Sequence, residues 1–303
     1  MTSMKVAIAG ATGAAGIPMI QELLAAGHLV TALTRVGSSG ASKLPSHPNL
    51  SIVAVDYESI SSLTNALEGH QAVVACFGVA TPIGSQDVLI DASVVAGVSR
   101  FFPAEFGTDT DNSRCANLPV FANKVHALEY LKKKVQANPG FSYTALCPGA
   151  FLDWGLKHAF FVDPKTHSAT IYDGGNLPFS TTTLTTISKA VVSILAHLEE
   201  TQNRHLYIHD AVVTQNQLIA IAKKIDGKDW DLAHTTTSSA EASAYEELEK
   251  EKPDPMKFLF PLLQVSVLAE GYGGDFSAHL DNKLLGIEGM DDAELASLMA
   301  RYL

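Results

Sequence analysis

The chain has 303 residues, 47% of them hydrophobic and 17% charged, which is apolar material enough for a sizeable core and excludes wholesale disorder. Lys and Arg total 21 against 32 Asp and Glu, and the resulting net charge of −11 argues against a nucleic-acid or anionic-membrane binder. Three scattered cysteines, Cys76, Cys115 and Cys147, make no disulfide framework, and no apolar run reaches the roughly 20 residues of a membrane helix. The expectation is a protein of the reducing cytoplasm.

The first 150 residues alternate between two periodicities. Lys5-Val6-Ala7-Ile8-Ala9 reads as a buried strand, and Ile17, Ile20, Leu23 and Leu24 recur at helical spacing until Gly27. Strands follow at 29–33 and 51–55, separated by a polar Gly/Ser loop at 37–48. A short helix at 59–67 leads to a strand at 72–76, a helix over 85–96 and a short strand at 100–102. A long helix is predicted from Leu118 to Val135, then a sixth strand at 143–147. Strands alternating with helices imply βαβ units: an α/β fold with a Rossmann-type, doubly wound parallel sheet. Past Pro148-Gly149 the pattern loosens. Helices are predicted at 184–198, 214–225 and across Glu241–Lys252, and a strand at 205–209. Pro253-Asp254-Pro255 then breaks the chain before an apolar stretch at 256–269. The division expected is residues 1–150 as the Rossmann domain and 151–303 as a smaller α+β substrate lobe, with some segments returning to the sheet.

The sharpest chemical signal is Gly10-Ala11-Thr12-Gly13-Ala14-Ala15-Gly16, between a predicted strand and a predicted helix. A dinucleotide diphosphate requires glycine there three times: for the tight turn, for close approach of the backbone, and for packing of helix on strand. The helix then offers unpaired N–H groups to the anion. At the end of the second strand, an NAD site usually carries an acid for the ribose 2′-hydroxyl. Here Leu33-Thr34-Arg35 ends in a guanidinium, which suits a 2′-phosphate, and Lys43 adds a second charge if its loop folds back. The expected cofactor is therefore NADP(H), with Asp56 after the third strand against adenine and Phe77-Gly78 after the fourth beside the nicotinamide half.

Together these residues resemble the NmrA-like and isoflavone-reductase-like family of atypical short-chain dehydrogenases. The resemblance also rests on Arg100-Phe101-Phe102-Pro103-Ala104-Glu105-Phe106-Gly107, on Lys124 and on Pro148-Gly149. The family's run reads R-F-x-P-S-E-F-G, so Ala104 replaces a serine. The resemblance implies an NADPH-dependent reductase acting on a small molecule. Ordinary short-chain dehydrogenases carry Tyr-x-x-x-Lys on the next helix, but Val120 stands four residues before Lys124 and cannot donate a proton. The isoflavone-reductase-like branch also lacks that tyrosine, and by resemblance Lys124 holds the nicotinamide ribose and serves as general acid or base. That role needs a lowered lysine pKa.

Pro148, Gly149 and Phe151 are expected on the cofactor side, with Phe106, Trp154, Phe160 and Tyr272 on the substrate side. An aromatic lining suits a flat, aromatic or polycyclic substrate. No metal is expected: His205 and His209 lie in strand-like sequence, where four residues span about 13 Å, too far for one ion. Two other readings stay open, a dinucleotide-binding redox sensor without chemistry and a non-redox isomerase or cyclase. The sequence leaves the assembly as monomer or homodimer.

Overall fold

The structure, a computed structural model, describes residues 3–303. In chain order its elements are β1 (Lys5–Ala9), α1 (Gly16–Ala25), β2 (Leu29–Arg35), β3 (Leu50–Val55), α2 (Ile60–Leu67), β4 (Ala72–Ala75), α3 (Asp87–Val95), β5 (Arg100–Phe102), α4 (Ser113–Ala116), α5 (Ala122–Ala137), β6 (Ser142–Cys147) and β7 (Ala150–Phe151). There follow α6 (Leu152–Lys157), β8 (Ser168–Tyr172), β9 (Phe179–Thr182), α7 (Leu184–Ala196), β10 (Arg204–Tyr207), β11 (Ala211–Val213), α8 (Gln215–Asp226), β12 (Asp231–Thr235), α9 (Thr237–Leu248), α10 (Pro255–Leu268), α11 (Asn282–Leu285) and α12 (Asp292–Met299). They form two compact units, neither continuous in sequence.

The first unit contains the chain up to Phe106, Ala122–Leu146 and Leu184–Leu206. Its seven-stranded sheet runs β10-β6-β5-β4-β1-β2-β3. The registered pairs, such as Ala7↔Thr31 and Ala7↔Val73, are parallel. Alternate residues build one face: Ala7, Ala9, Leu33, Val73, Ala75, Phe101 and Tyr143 join Leu63, Leu67, Leu89, Leu128 and Leu131 from α2, α3 and α5 in one buried cluster. The intervening Val6, Ile8, Val30, Ala32, Val74 and Phe102 are buried too. A strand covered on both faces requires that continuous apolar run, and hence the sequence shows it. Strand order reverses between β1 and β4, the place where open α/β sheets take ligands at the carboxyl ends of their strands.

The second unit contains Gly107–Phe121, Cys147–Thr183 and Tyr207–Leu303. It holds a three-stranded sheet, β11-β9-β7, and a two-stranded parallel one, β12-β8. An aromatic core joins Phe160, Phe161, Tyr172, Phe179 and Trp230. A second cluster gathers Cys115, Leu118, Val120 and Phe121 with Ala244, Leu262 and Val265. Among the described residues no helix is long and apolar enough to cross a membrane.

The helix predicted from Leu118 begins later. Pro119–Phe121 form a single 3-10 turn, and α5 starts at Ala122. Proline has no N–H for a helical bond and disfavours helical backbone in the residue before it, so Leu118 is not helical. The charged helix predicted from Glu241 begins at Thr237, where the Thr236 hydroxyl accepts the Ser239 N–H as an N-cap.

Candidate cofactor and active site

At the carboxyl edge of β1 the chain turns through Gly10 in the left-handed region, with φ +74°. A Cβ on Gly10 would collide with the Cys76 carbonyl oxygen, just past β4. One on Gly16 would strike the Gly10 carbonyl oxygen and lie 2.7 Å from that of Ala11. The turn is closed by Gly13 N–H donating to the Gly10 carbonyl at 3.0 Å, and Gly13 and Ala14 stand exposed. No side chain caps α1, whose N-cap is Ala15, and its first turn carries no acid. Nothing on the chain therefore competes with an anion at this helix start. A bare glycine backbone leading into an uncapped helix fits a dinucleotide diphosphate.

Arg35 ends β2 exposed to solvent, and Lys43 is exposed on a 3-10 turn, Ser39–Lys43. Neither forms an ion pair among the described residues. The Lys43 turn does come back to the glycine loop: a Cβ on Gly40 would sit 3.1 Å from the Thr12 hydroxyl oxygen. Asp56 follows β3, where one of its oxygens accepts the Glu58 N–H at 3.0 Å. Beside it lies Tyr57, which the sequence reading passed over. Its hydroxyl donates to the Leu33 carbonyl at 3.2 Å, and its ring meets Phe77 edge-on at 5.7 Å. Burial pushes its phenol up to about 12. Tyr57 thus ties the ends of β2 and β4 together behind the crevice. Phe77 is half-buried and Gly78 exposed.

Lys124 lies in the first turn of α5 and is 4% exposed. Its Nζ donates to the Glu105 carbonyl at 2.6 Å, which fixes the ammonium beside the Ala104-Glu105-Phe106 segment. Gln86 Oε1 accepts the Ala104 N–H at 3.0 Å and holds the same segment from the other side. Phe106 is half-buried. Val120 packs into the apolar cluster of the second unit, so no hydroxyl is offered at that position. Arg100, part of the same sequence run, does structural work. Its guanidinium donates to the hydroxyls of Ser142, Thr144 and Thr201 and to the Leu198 carbonyl. Burial without a carboxylate lowers its pKa to about 10.

In the second unit, Gly149 has φ +67°, and a Cβ on it would strike the Ser180 carbonyl oxygen. The Pro148 carbonyl accepts the Thr182 hydroxyl at 2.5 Å, and Phe151 pairs with Thr182. Trp154 and Phe160 come together at 6.2 Å, and both meet Phe260, at 6.4 and 5.2 Å, an aromatic partner the sequence did not single out. Tyr272 packs against the α9–α10 cluster. Its hydroxyl donates to both Glu241 carboxylate oxygens at 2.9 and 3.0 Å, and burial raises its pKa to about 12. His205 lies on β10, as the strand-like periodicity there predicts. A groove of about 680 Å³ in this unit is lined by His209, Asp210, Asn282, Lys283 and Met290, none of them a candidate site residue.

The model of the NmrA-like family matches residues 2–242. Oxidoreductase poxI of Penicillium oxalicum is 33% identical over 242 residues, 78% of this chain and 74% of its own length. Oxidoreductase aprR of Aspergillus flavus is 30% identical over 276 residues, 90% of each chain. Isoflavone reductase of Pisum sativum is 27% identical over 252 residues, 75% of this chain and 77% of its own. Among solved structures, the leucoanthocyanidin reductase–NADPH complex from Vitis vinifera superposes with a TM-score of 0.79 at 20% identity, covering 98% of this chain and 99% of that one. A structure of AtPrR2 with NADP+ and (+)pinoresinol superposes with a TM-score of 0.70 at 20% identity, covering all of both chains. At such identity the superpositions speak for the fold.

Proposed function

The chain belongs to the NmrA-like family, and we propose that it works as an NADP(H)-dependent reductase of a small aromatic or polycyclic molecule. The observation that carries this reading is the cradle at the β1/β4 reversal. Glycine backbone too crowded for any side chain at Gly10 and Gly16 stands on the same sheet edge as the unpaired, exposed cation of Arg35. Two relatives named as oxidoreductases support the reaction class. The isoflavone and pinoresinol named for other similar proteins support the substrate class.

When bound, the reduced nicotinamide supplies a hydride. The chain's own groups bind, orient and move protons. N–H groups of Thr12, Ala14 and Ala15 would hold the diphosphate, while Gly13, whose N–H closes the turn onto the Gly10 carbonyl, leaves room for it. Arg35 and Lys43 would hold the 2′-phosphate through charge-assisted bonds. The remaining oxygen of Asp56 accepts from the adenine amino group. Phe77 and Gly78 would leave room for the nicotinamide half. Lys124, oriented by the Glu105 carbonyl, holds the ribose and gives or takes the substrate proton, directly or through a water. Trp154 and Phe160 would give the second unit an apolar, aromatic face suited to a flat substrate.

The test is turnover. NADPH consumption is followed with a panel of flat aromatic enones, ketones and isoflavone-like compounds. Saturable, substrate-dependent oxidation of NADPH is expected. Tight NADPH binding with no turnover across such a panel, together with a co-purifying protein, would favour the redox-sensor reading instead.

A further inference from the structure

Asn123 precedes Lys124 in the first turn of α5. One end of its amide is fixed: Nδ2 donates to the Thr81 carbonyl at 3.0 Å and reaches that of Val79 at 3.5 Å. Backbone carbonyls only accept hydrogen bonds, so the amide cannot be turned over, and Oδ1 faces the other way. That oxygen is buried and accepts no hydrogen bond among the described residues. Buried side-chain acceptors in native proteins are nearly always satisfied, so an unmet one held in a fixed direction calls for a donor from outside the chain.

Its surroundings say which donor. Val79–Thr81 follows Phe77-Gly78 out of β4, whose neighbouring Cys76 carbonyl abuts Gly10. Three side chains of this unit brace the same sheet edge. Asn123 holds the segment after β4, while Gln86 and Lys124 hold the segment after β5. Asn123 therefore stands on the nicotinamide side of the crevice, away from Arg35 on β2 at the other side of β1.

We propose that Asn123 Oδ1 accepts a hydrogen bond from a hydroxyl or amide N–H of the nicotinamide riboside half of the bound cofactor. The Thr81 carbonyl, by holding Nδ2, aims that oxygen. An anionic group has no donor to offer and is not the partner. The proposal rests on reading this unit as the NADP(H) site, and the experiment separates the two.

Calorimetric titration of the full chain uses two ligands: NADPH, and adenosine 2′,5′-bisphosphate, which keeps the adenine and 2′-phosphate but has no nicotinamide. Asn123→Leu is expected to weaken NADPH roughly three- to tenfold, the worth of one neutral hydrogen bond, and to leave the bisphosphate within about twofold. Asn123→Ser, read by the same ratio of affinities, serves if the leucine variant does not fold. Unchanged NADPH affinity, as when a water alone satisfies Oδ1, overturns the proposal. So does an equal loss for both ligands, which marks a general structural defect. A wild-type chain that binds neither ligand refutes the cofactor reading itself and the proposal with it.

Discussion

Gly10 packs against the Cys76 carbonyl so closely that no side chain fits between them, and this contact sets the width of the crevice where β1 and β4 part. Gly10 also adopts φ +74°, which costs an L-residue about 1–2 kcal/mol before any clash. Gly13 differs. Its φ is not positive, and a Cβ there would approach the Gly10 carbonyl oxygen at 3.3 Å, tight but not prohibitive.

The two glycines therefore separate folding from binding. Gly10→Ala is expected to lower the thermal midpoint markedly. Gly13→Ala should nearly keep that midpoint and lose NADPH affinity by an order of magnitude or more, because its methyl occupies the space of the diphosphate. Differential scanning calorimetry and ligand titration on both variants check this. Equal behaviour of the two would remove the cradle argument.

Arg35 is predicted to discriminate between the two pyridine nucleotides. Arg35→Glu removes a charge-assisted contact worth about 1.5–3 kcal/mol and adds repulsion toward a 2′-phosphate. NADPH should weaken at least about tenfold while NADH changes little. Comparable losses for both cofactors would mean that the guanidinium does not meet the extra phosphate.

Lys124→Ala tests the proton-handling role. The expected result is a fall in kcat of about 10²–10⁴, the usual contribution of a general acid or base, with a smaller change in NADPH affinity. Unaltered kcat would leave Lys124 as a tie to the Glu105 carbonyl and nothing more.

Much of this was readable before the fold was seen, and the limits are instructive. Strands β1 and β4 are buried on both faces, and their apolar runs announce them. β7 has two residues, and β12 alternates irregularly with much of it exposed, so neither leaves a periodic trace. The glycine loop was legible because its chemistry is local. Tyr57 and Asn123 were not, because their roles come from the carbonyls of Leu33 and Thr81, 24 and 42 residues away. Each does sit beside a residue the sequence singled out, Asp56 and Lys124, which was the signal available. Phe160 shows the opposite limit: its aromatic character was plain, but only the structure reveals a ring packed edge-on against Phe161 at 5.1 Å in the second unit's core.

Acid should destabilise the first unit through two buried imidazoles. His28 and His70 are 1% and 3% exposed, and burial lowers both pKa values below 6.5, with the Lys5 charge adding to the effect at His70. A depressed folded-state pKa means that the native fold holds these groups neutral while the unfolded chain binds protons more readily. Their contribution is thus complete above about pH 6.5 and declines as the pH falls through that value toward the folded-state pKa values. Thermal midpoints measured between pH 7.5 and 5 should fall on the acid side, and His70→Gln should flatten the slope. A slope unchanged in His28→Gln and His70→Gln would place the acid sensitivity elsewhere.

The most direct measurement is a calorimetric titration of the folded full chain with NADPH and, in parallel, with NADH. Saturable binding of one NADPH per chain, tighter than NADH by about tenfold or more, is the predicted result. Absence of saturable binding by either nucleotide, or a preference for NADH, would contradict the assignment of the Gly10–Gly16 loop and Arg35 to a phosphorylated dinucleotide.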